Sequence, residues 1–282
     1  MYKFSPLSKT VSMDVNGRTY TWGDGKNWVL FAGPDIVEDE GLVLEVGQEL
    51  KKLTEKHKVP WILKCSFDKA NRTSGNAFRG HGVKESLAIL ERVKSKLGVP
   101  VLTDVHETIQ VEAVAAVADV IQIPAFLCRQ TDLLVAAAES GKVIHVKKGQ
   151  FLAPWDMKTV AEKIASTGNS KVLLCERGTT FGYNRLVNDM ISLVEMRNLG
   201  YPVIMDASHS TQLPGAGGTS SGGRSAMIPV LAKAAMAVGV DGMFIETHPR
   251  PDEALCDGPS SLPLGDMDSL LKTINELWNM HK

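Results

Sequence analysis

Residues 101–147 read VLTDVHETIQVEAVAAVADVIQIPAFLCRQTDLLVAAAESGKVIHVK. Three short apolar runs, Val101 to Thr103, Val120 to Ile123 and Val143 to Val146, alternate with segments of helical period near Thr108 to Val117 and Asp132 to Ser140. Short strands that are apolar throughout suit a parallel sheet covered on both faces. Strict alternation of strand and helix makes neighbouring strands parallel. Each run ends in polar or turn-forming residues: Asp104-Val105-His106-Glu107, Gln122-Ile123-Pro124-Ala125, and Lys147-Lys148.

The same unit recurs on both sides of this stretch. Trp28 to Ala32 leads into a helix from about Glu40 to Lys58, and Trp61 to Cys65 precedes one from about Val83 to Leu97. The helix near Met157 to Ser166 follows the central stretch. Val172 to Cys175 then precedes a helix near Leu186 to Leu199, Val203 to Met205 one near Gly223 to Val238, and Gly242 to Ile245 one near Asp266 to Met280. Eight strand–helix units predict an α/β fold, a (β/α)8 TIM barrel, with residues 1–282 as one domain. A doubly wound open sheet would carry a glycine-rich turn after its first strand, but here that turn is Gly33-Pro34-Asp35 with no GxGxxG. Val11 to Val15 and Arg18 to Trp22 flank Asn16-Gly17, which predicts an N-terminal β-hairpin within residues 9–24. The hairpin is expected to cap the bottom of the barrel.

Hydrophobic residues make up 44% and charged residues 22% of the 282, enough apolar side chains for a large core rather than a disordered chain. A net charge of −1 gives no global basic field for nucleic acid or an anionic membrane. No apolar run reaches the roughly 18 residues of a membrane helix. Four cysteines without CxxC spacing point to a reducing compartment, and the polar N-terminal stretch does not read as a signal peptide. The expectation is a cytoplasmic protein acting on small molecules, with neither nucleic acid nor membrane as partner.

In such a barrel the site forms at the C-terminal ends of the strands. The remaining ends are Gly33-Pro34-Asp35, Lys64 continuing into Ser66 to Arg72, Glu176-Arg177-Gly178, Asp206-Ala207-Ser208-His209 and Glu246-Thr247-His248. Lys64 within WILKC and Lys147 after IHV are costly to bury without a partner. With Lys69, Arg72, Arg129 and Arg177 they supply cations for more than one anion, arginine suiting bidentate contacts and lysine a point charge. A phosphorylated, carboxylated small substrate follows. His209, Glu246 and Asp257 form a candidate divalent-metal set to which Asp35 adds a fourth ligand; a hydrogen-bonded polar network is the alternative reading. Cys65 and Cys175 lie in apolar strands and read as core. The long loop Ser66 to Gly82 has no apolar periodicity and suits a lid or a reach into a neighbouring subunit. Gln212 to Gly223, rich in glycine and hydroxyls, suits a segment that orders on ligand binding.

The motifs KCSFDKANRTS (64–74), TDVHE (103–107), IQIPAFLCRQTDLL (121–134), VKKGQFLAPWD (146–156), ERGTTFGYN (176–184), SGG (221–223), FIETHP (244–249) and CDGPSSLPL (256–264) resemble the 3-deoxy-D-manno-octulosonate 8-phosphate synthase family. They cover the chain from about Ala32 to Leu264 in the family's order. The resemblance implies a (β/α)8 barrel and a homotetramer. It also implies condensation of phosphoenolpyruvate with D-arabinose 5-phosphate and water, giving the eight-carbon sugar acid phosphate and inorganic phosphate for lipopolysaccharide biosynthesis. Two competing readings are a sister synthase using erythrose 4-phosphate or an N-acetylmannosamine-type aldose, and an inactive barrel that only binds phosphorylated ligands. The loop Asn71 to Ser74 should discriminate the first. Against the second, Lys64, Lys69, Lys147, Arg177 and His209 are all present.

Carried over to this sequence, Lys64 and Lys69 resemble the pair that meets the phosphoenolpyruvate carboxylate. Gln122, Ala125, Lys147 and Arg177 resemble the pocket for its phosphate. Asn71, Arg72 and Thr73, where serine is common, resemble the arabinose 5-phosphate contacts, with Arg72 acting on the site of an adjacent subunit. Lys69, His209, Asp257 and Asp35 are the expected catalytic residues, His209 and Asp257 as proton movers. The departure is at Asp35, where metal-dependent members carry cysteine and metal-independent members asparagine. A divalent ion such as Mn, Fe or Zn, held by Asp35, His209, Glu246 and Asp257, is the candidate cofactor; no organic cofactor is implied. Carboxylates so close together repel unless a cation or a proton neutralises them.

Overall fold

The alternating strands and helices close into a barrel. The structure, a computed structural model, describes residues 4–72, 74–215 and 222–282. The chain opens with an antiparallel hairpin, β1 (Val11–Val15) and β2 (Arg18–Trp22), in which Val15 faces Arg18 across Asn16-Gly17. Asn16 and Gly17 both have positive φ, as a type I′ turn requires. The barrel then follows as β3 (Val29–Gly33), α1 (Glu40–His57), β4 (Trp61–Lys64), α2 (Val83–Leu97), β5 (Val101–Asp104), α3 (Val111–Val117), β6 (Val120–Ile123), α4 (Thr131–Glu139), β7 (Val143–Lys147), α5 (Met157–Ala165) and β8 (Val172–Glu176). After a two-residue pair, β9 (Thr179–Thr180) and β10 (Leu186–Val187), come α6 (Met190–Asn198), β11 (Val203–Asp206), α7 (Ile228–Val238), β12 (Gly242–His248), β13 (Leu262–Pro263) and α8 (Met267–Asn279). Strands β3, β4, β5, β6, β7, β8, β11 and β12 pair in parallel in that order, and β12 returns to β3 with Phe244 opposite Phe31.

The period-two alternation of a strand divides the core into two layers. Val29, Phe31, Ile62, Leu102, Val120, Leu173, Ile204 and Phe244 fill the interior of the barrel. Their neighbours Leu30, Ala32, Leu63, Val101, Ile121, Ile144, Leu174 and Met243 pack outward with the helices. The hairpin contributes Val11, Tyr20 and Trp22 to the inner layer, so it caps the barrel floor as expected. Trp22 lies near parallel to Phe31, centroids 5.9 Å apart.

Gly33 ends β3 where a Cβ would run into the Lys64 backbone carbonyl. A glycine therefore lets β3 and β4 close up just before the Pro34-Asp35 turn enters the barrel mouth. Three helix starts lie later than the sequence pattern predicts, α3 by the 3-10 turn Thr108–Gln110 and two others by more. Leu186 and Val187 are drawn into pairing with Thr180 and Thr179, and α6 begins only after Asp189, whose side chain accepts the Ile191 N–H at 2.9 Å. The α7 helix starts at Ile228 after a 3-10 turn over Ser225–Met227, because Gly223 lies tight against Pro259 and Ser260.

Candidate active site

The C-terminal ends of the barrel strands surround a cavity of about 210 Å3. Lys69, Asn71, Arg72, Gln122, Ala125, Lys147, Arg177, His209, Glu246 and Asp257 line it, ten of the residues singled out in the sequence. Asp35 and Lys64 are buried behind this lining. Thr73 lies outside the described residues, as does the middle of the Gln212 to Gly223 loop, residues 216–221.

Three groups of ion pairs and hydrogen bonds meet there. In the first, the Lys64 ammonium donates to the Asp35 backbone carbonyl at 2.6 Å and to Glu246 Oε1, and lies 3.3 Å from Asp35 Oδ1. Lys69 pairs with the same Asp35 oxygen. The carboxylate repulsion expected from the sequence is thus met by two lysines, which were expected on the substrate. Burial opposes ionisation of Asp35, but Lys69 and Lys64 outweigh it and hold the carboxyl well below its usual range. Burial also works against the Lys69 ammonium, yet Asp35 and Glu246 raise it well above the ordinary lysine value. Burial and the Asp35 charge push Glu246 and Asp257 up.

In the second group, Asp206 Oδ2 lies 2.7 Å from Lys147 Nζ and 2.8 Å from His209 Nδ1, and Asp206 Oδ1 accepts the His209 backbone N–H at 2.9 Å. His209 Nε2 then lies 3.4 Å from Glu246 Oε1. Burial lowers the His209 pKa although Asp206 and Glu246 oppose it. In the third, Arg177 Nη2 donates to Gln212 Oε1 at 2.8 Å, and Gln212 Nε2 donates to Asp257 Oδ2 at 2.6 Å. Arg72 reaches over its own chain's cavity to Cys256 Sγ, with Nη1 3.7 Å from Asp257 Oδ1. Glu176 Oε1 orients the Arg177 turn by accepting the N–H groups of Arg177 and Gly178 at 3.0 and 2.7 Å.

Asp206, Gln212 and the Asp104–His106 pair, 3.1 Å apart, received no role in the sequence reading. Asp206 carried a signal, an acidic residue three before His209 at a strand end. Gln212 carried none, because its two partners, Arg177 and Asp257, arrive from two other loops.

The expected metal set is assembled: Asp35, His209, Glu246 and Asp257 each place one donor atom within 4.8 Å of the others. Donors of one ion bound at roughly 2.0–2.3 Å lie no farther apart than about that distance. Asp35 Oδ2 and Glu246 Oε2 are buried without a hydrogen-bond partner among the described residues, as ligand oxygens would be. One nitrogen and three carboxylates fit a hard or borderline divalent ion.

A model described as the DAHP synthetase I family matches residues 9–282. The chain belongs to the DAHP synthetase I family. Within the family it is similar to curated proteins named 2-dehydro-3-deoxyphosphooctonate aldolase. The one from Geobacter sp. (strain M21) is 57% identical over 255 residues, 90% of this chain and 93% of the relative. Those from Stenotrophomonas maltophilia (strain K279a) and Xanthomonas oryzae pv. oryzae (strain PXO99A) are each 56% identical over 248 residues, 88% of this chain and 90% of the relative. These names agree with the eight-carbon reading drawn from the motifs. No helix of this family member, among the described residues, is long and apolar enough to cross a membrane.

Proposed function

We propose that the chain condenses phosphoenolpyruvate with D-arabinose 5-phosphate and water to give 3-deoxy-D-manno-octulosonate 8-phosphate and inorganic phosphate, in lipopolysaccharide biosynthesis. One observation carries the reading. Arg177 is a buried guanidinium whose Nε and Nη1 have no partner among the described residues, and it lines the same cavity as Lys147, Lys69 and Arg72. Unsatisfied buried donors of this kind are met by an anion, and the relatives' names supply its class.

Lys147, Arg177, Gln122 and Ala125 hold the phosphate of phosphoenolpyruvate. Lys64 and Lys69 hold its carboxylate, exchanging part of their contact with Asp35 and Glu246. Asn71, Arg72 and Thr73 take the sugar phosphate at the outer rim. The enol carbon attacks the aldehyde, water adds and inorganic phosphate leaves. The fixed cations favour the charges that develop, without reorganisation. His209, oriented by Asp206, and Asp257, held by Gln212, move the protons, one of which the former aldehyde oxygen must gain. Asp35, His209, Glu246 and Asp257 would hold a divalent ion, which when bound supplies Lewis-acid polarisation of an oxygen. The protein works in the cytoplasm as a single-domain protomer of a homotetramer, in which the Arg72 loop, closed over its own cavity in the single chain, swings toward a neighbouring subunit.

The test is phosphate release from phosphoenolpyruvate with arabinose 5-phosphate, erythrose 4-phosphate and N-acetylmannosamine compared, before and after chelation, with metal content read by elemental analysis. Release with arabinose 5-phosphate alone is expected, and preference for another aldose overturns the substrate. About one divalent ion per chain is expected at the four-residue site. A metal-free protein of full activity, unchanged by added Mn, Fe or Zn, leaves the four side chains as a hydrogen-bonded network.

A further inference from the structure

Beneath the cavity a column of rings runs through the barrel axis. Trp22 of the hairpin lies near parallel to Phe31, and Phe31 meets His145 at 5.3 Å. His145 in turn lies near parallel to Phe244, centroids 5.9 Å apart. All four are buried. Above Phe244 the column ends on cations, with Lys147 Nζ 3.9 Å from the ring centroid and Lys64 Nζ 5.7 Å from it. The His209 ring leans on the same phenyl at 5.8 Å. Phe244 sits two residues before Glu246 on β12, one inward-facing layer lower, so it lies in the core layer directly beneath the cationic residues.

We propose that Phe244 is a positioning residue, whose π face anchors the Lys147 ammonium, and more weakly that of Lys64, in place beneath the cavity. An ammonium within about 6 Å of a ring face is attracted by the ring quadrupole, the more so where water is excluded. The geometry has a consequence that a carboxylate floor would not have. A neutral ring attracts the ammonium without cancelling its charge, so the field toward a bound anion survives. Asp206 pulls Lys147 sideways, at 2.7 Å. Asp206 and His209 already hold the ammonium from the side, so removing the ring's attraction takes away the contact from below and leaves Lys147 less well fixed beneath the anion. The inference rests on Lys147 meeting phosphoenolpyruvate.

The test keeps the ring's shape and drains its quadrupole. Full-length protein carrying mono-, di- or trifluorinated phenylalanine at position 244 is titrated with phosphoenolpyruvate by calorimetry, and Tm is measured alongside. The same series is placed at position 31 as a control, and cyclohexylalanine at 244 removes the π system while keeping a six-membered ring. Affinity should fall stepwise with fluorination at 244, by about five- to tenfold for the trifluoro ring, with Tm unchanged. The series at 31 should be flat. A flat or tightening series at 244, or an equal loss at 31, overturns the role of Phe244. If the parent protein itself does not bind phosphoenolpyruvate, the functional reading fails instead, and the two failures are separated before the variants are made.

Discussion

Among the described residues Arg177 enters the cavity with Gln212 as the hydrogen-bond partner of its side chain and two nitrogens left over, while Lys147 is flanked by Asp206 and His209. A charge-assisted hydrogen bond contributes about 1.5–3 kcal/mol, so Arg177→Ala and Lys147→Ala should each weaken phosphoenolpyruvate binding roughly 10- to 100-fold by calorimetry. Parent-like affinity in both would remove them from the phosphate pocket. His145 gives a second test at this scale. Burial, reinforced by Lys147, lowers its pKa from 6.5 to about 3, and both ring nitrogens are buried without hydrogen-bond partners among the described residues. Between those values the unfolded chain binds a proton that the folded protein refuses. Stability from this residue is therefore complete above about pH 6.5 and falls as the pH drops toward 3, by up to about tenfold in the folding equilibrium per pH unit. His145→Phe should narrow the Tm difference between about pH 7.5 and about pH 5; an unchanged difference would place the acid sensitivity elsewhere. The polar strand ends made the candidate residues legible in the sequence, since the barrel rule assigns them to one mouth. Which of them pair was not legible. The sequence reading sent Lys64 and Lys69 to the substrate, whereas the folded chain first satisfies them with Asp35 and Glu246.

At the scale of elements, the strands were the easiest to read, because a strand covered on both faces leaves a run of apolar residues with no alternative use. Helix starts were harder. Leu186 fits a helical period equally well, and only the pairing of Val187 with Thr179, a contact closed by the intervening loop, takes it out of α6. The loop from Ser66 to Gly82 was visible as an insertion, but not its return path. Lys69 donates its backbone N–H to the Arg79 carbonyl at 3.1 Å, and Arg79 binds Asp68 through Nε at 3.0 Å. The loop brings Arg72 over the cavity beside Cys256 and Asp257, where it makes no contact with Lys147 or Arg177 among the described residues. Arg72→Ala should therefore raise KM for arabinose 5-phosphate several-fold more than KM for phosphoenolpyruvate. Steady-state kinetics with each substrate varied in turn checks this, and equal effects on both would abolish the division of the cavity into an inner and an outer subsite.

Over the whole molecule, the loops that build the site also carry large apolar side chains outward. Phe126 follows β6, Phe151 and Trp155 follow β7, and Phe181 lies between β9 and β10; each is more than half exposed on the single chain. Thr180 donates to the Gln150 carbonyl at 3.0 Å, which ties the second and third of these segments together. Apolar surface concentrated in this way is covered by protein more often than by water, and the proposed covering is another copy of the chain. Trp155 and Phe181 do not line the cavity, so they can be changed without touching its cations. Trp155→Asp with Phe181→Asp should bring the mass by light scattering from about four times the single-chain 30.6 kDa down toward one, because two buried carboxylates without partners oppose association strongly. Phosphoenolpyruvate binding should survive in the dissociated protein, since Lys147 and Arg177 are held by Asp206, Glu176 and Gln212 of their own chain. Use of arabinose 5-phosphate should fall, if the Arg72 loop completes its subsite across the interface. A parent protein already at single-chain mass would reject the assembly, and a dissociated variant with full activity would show that each barrel works alone.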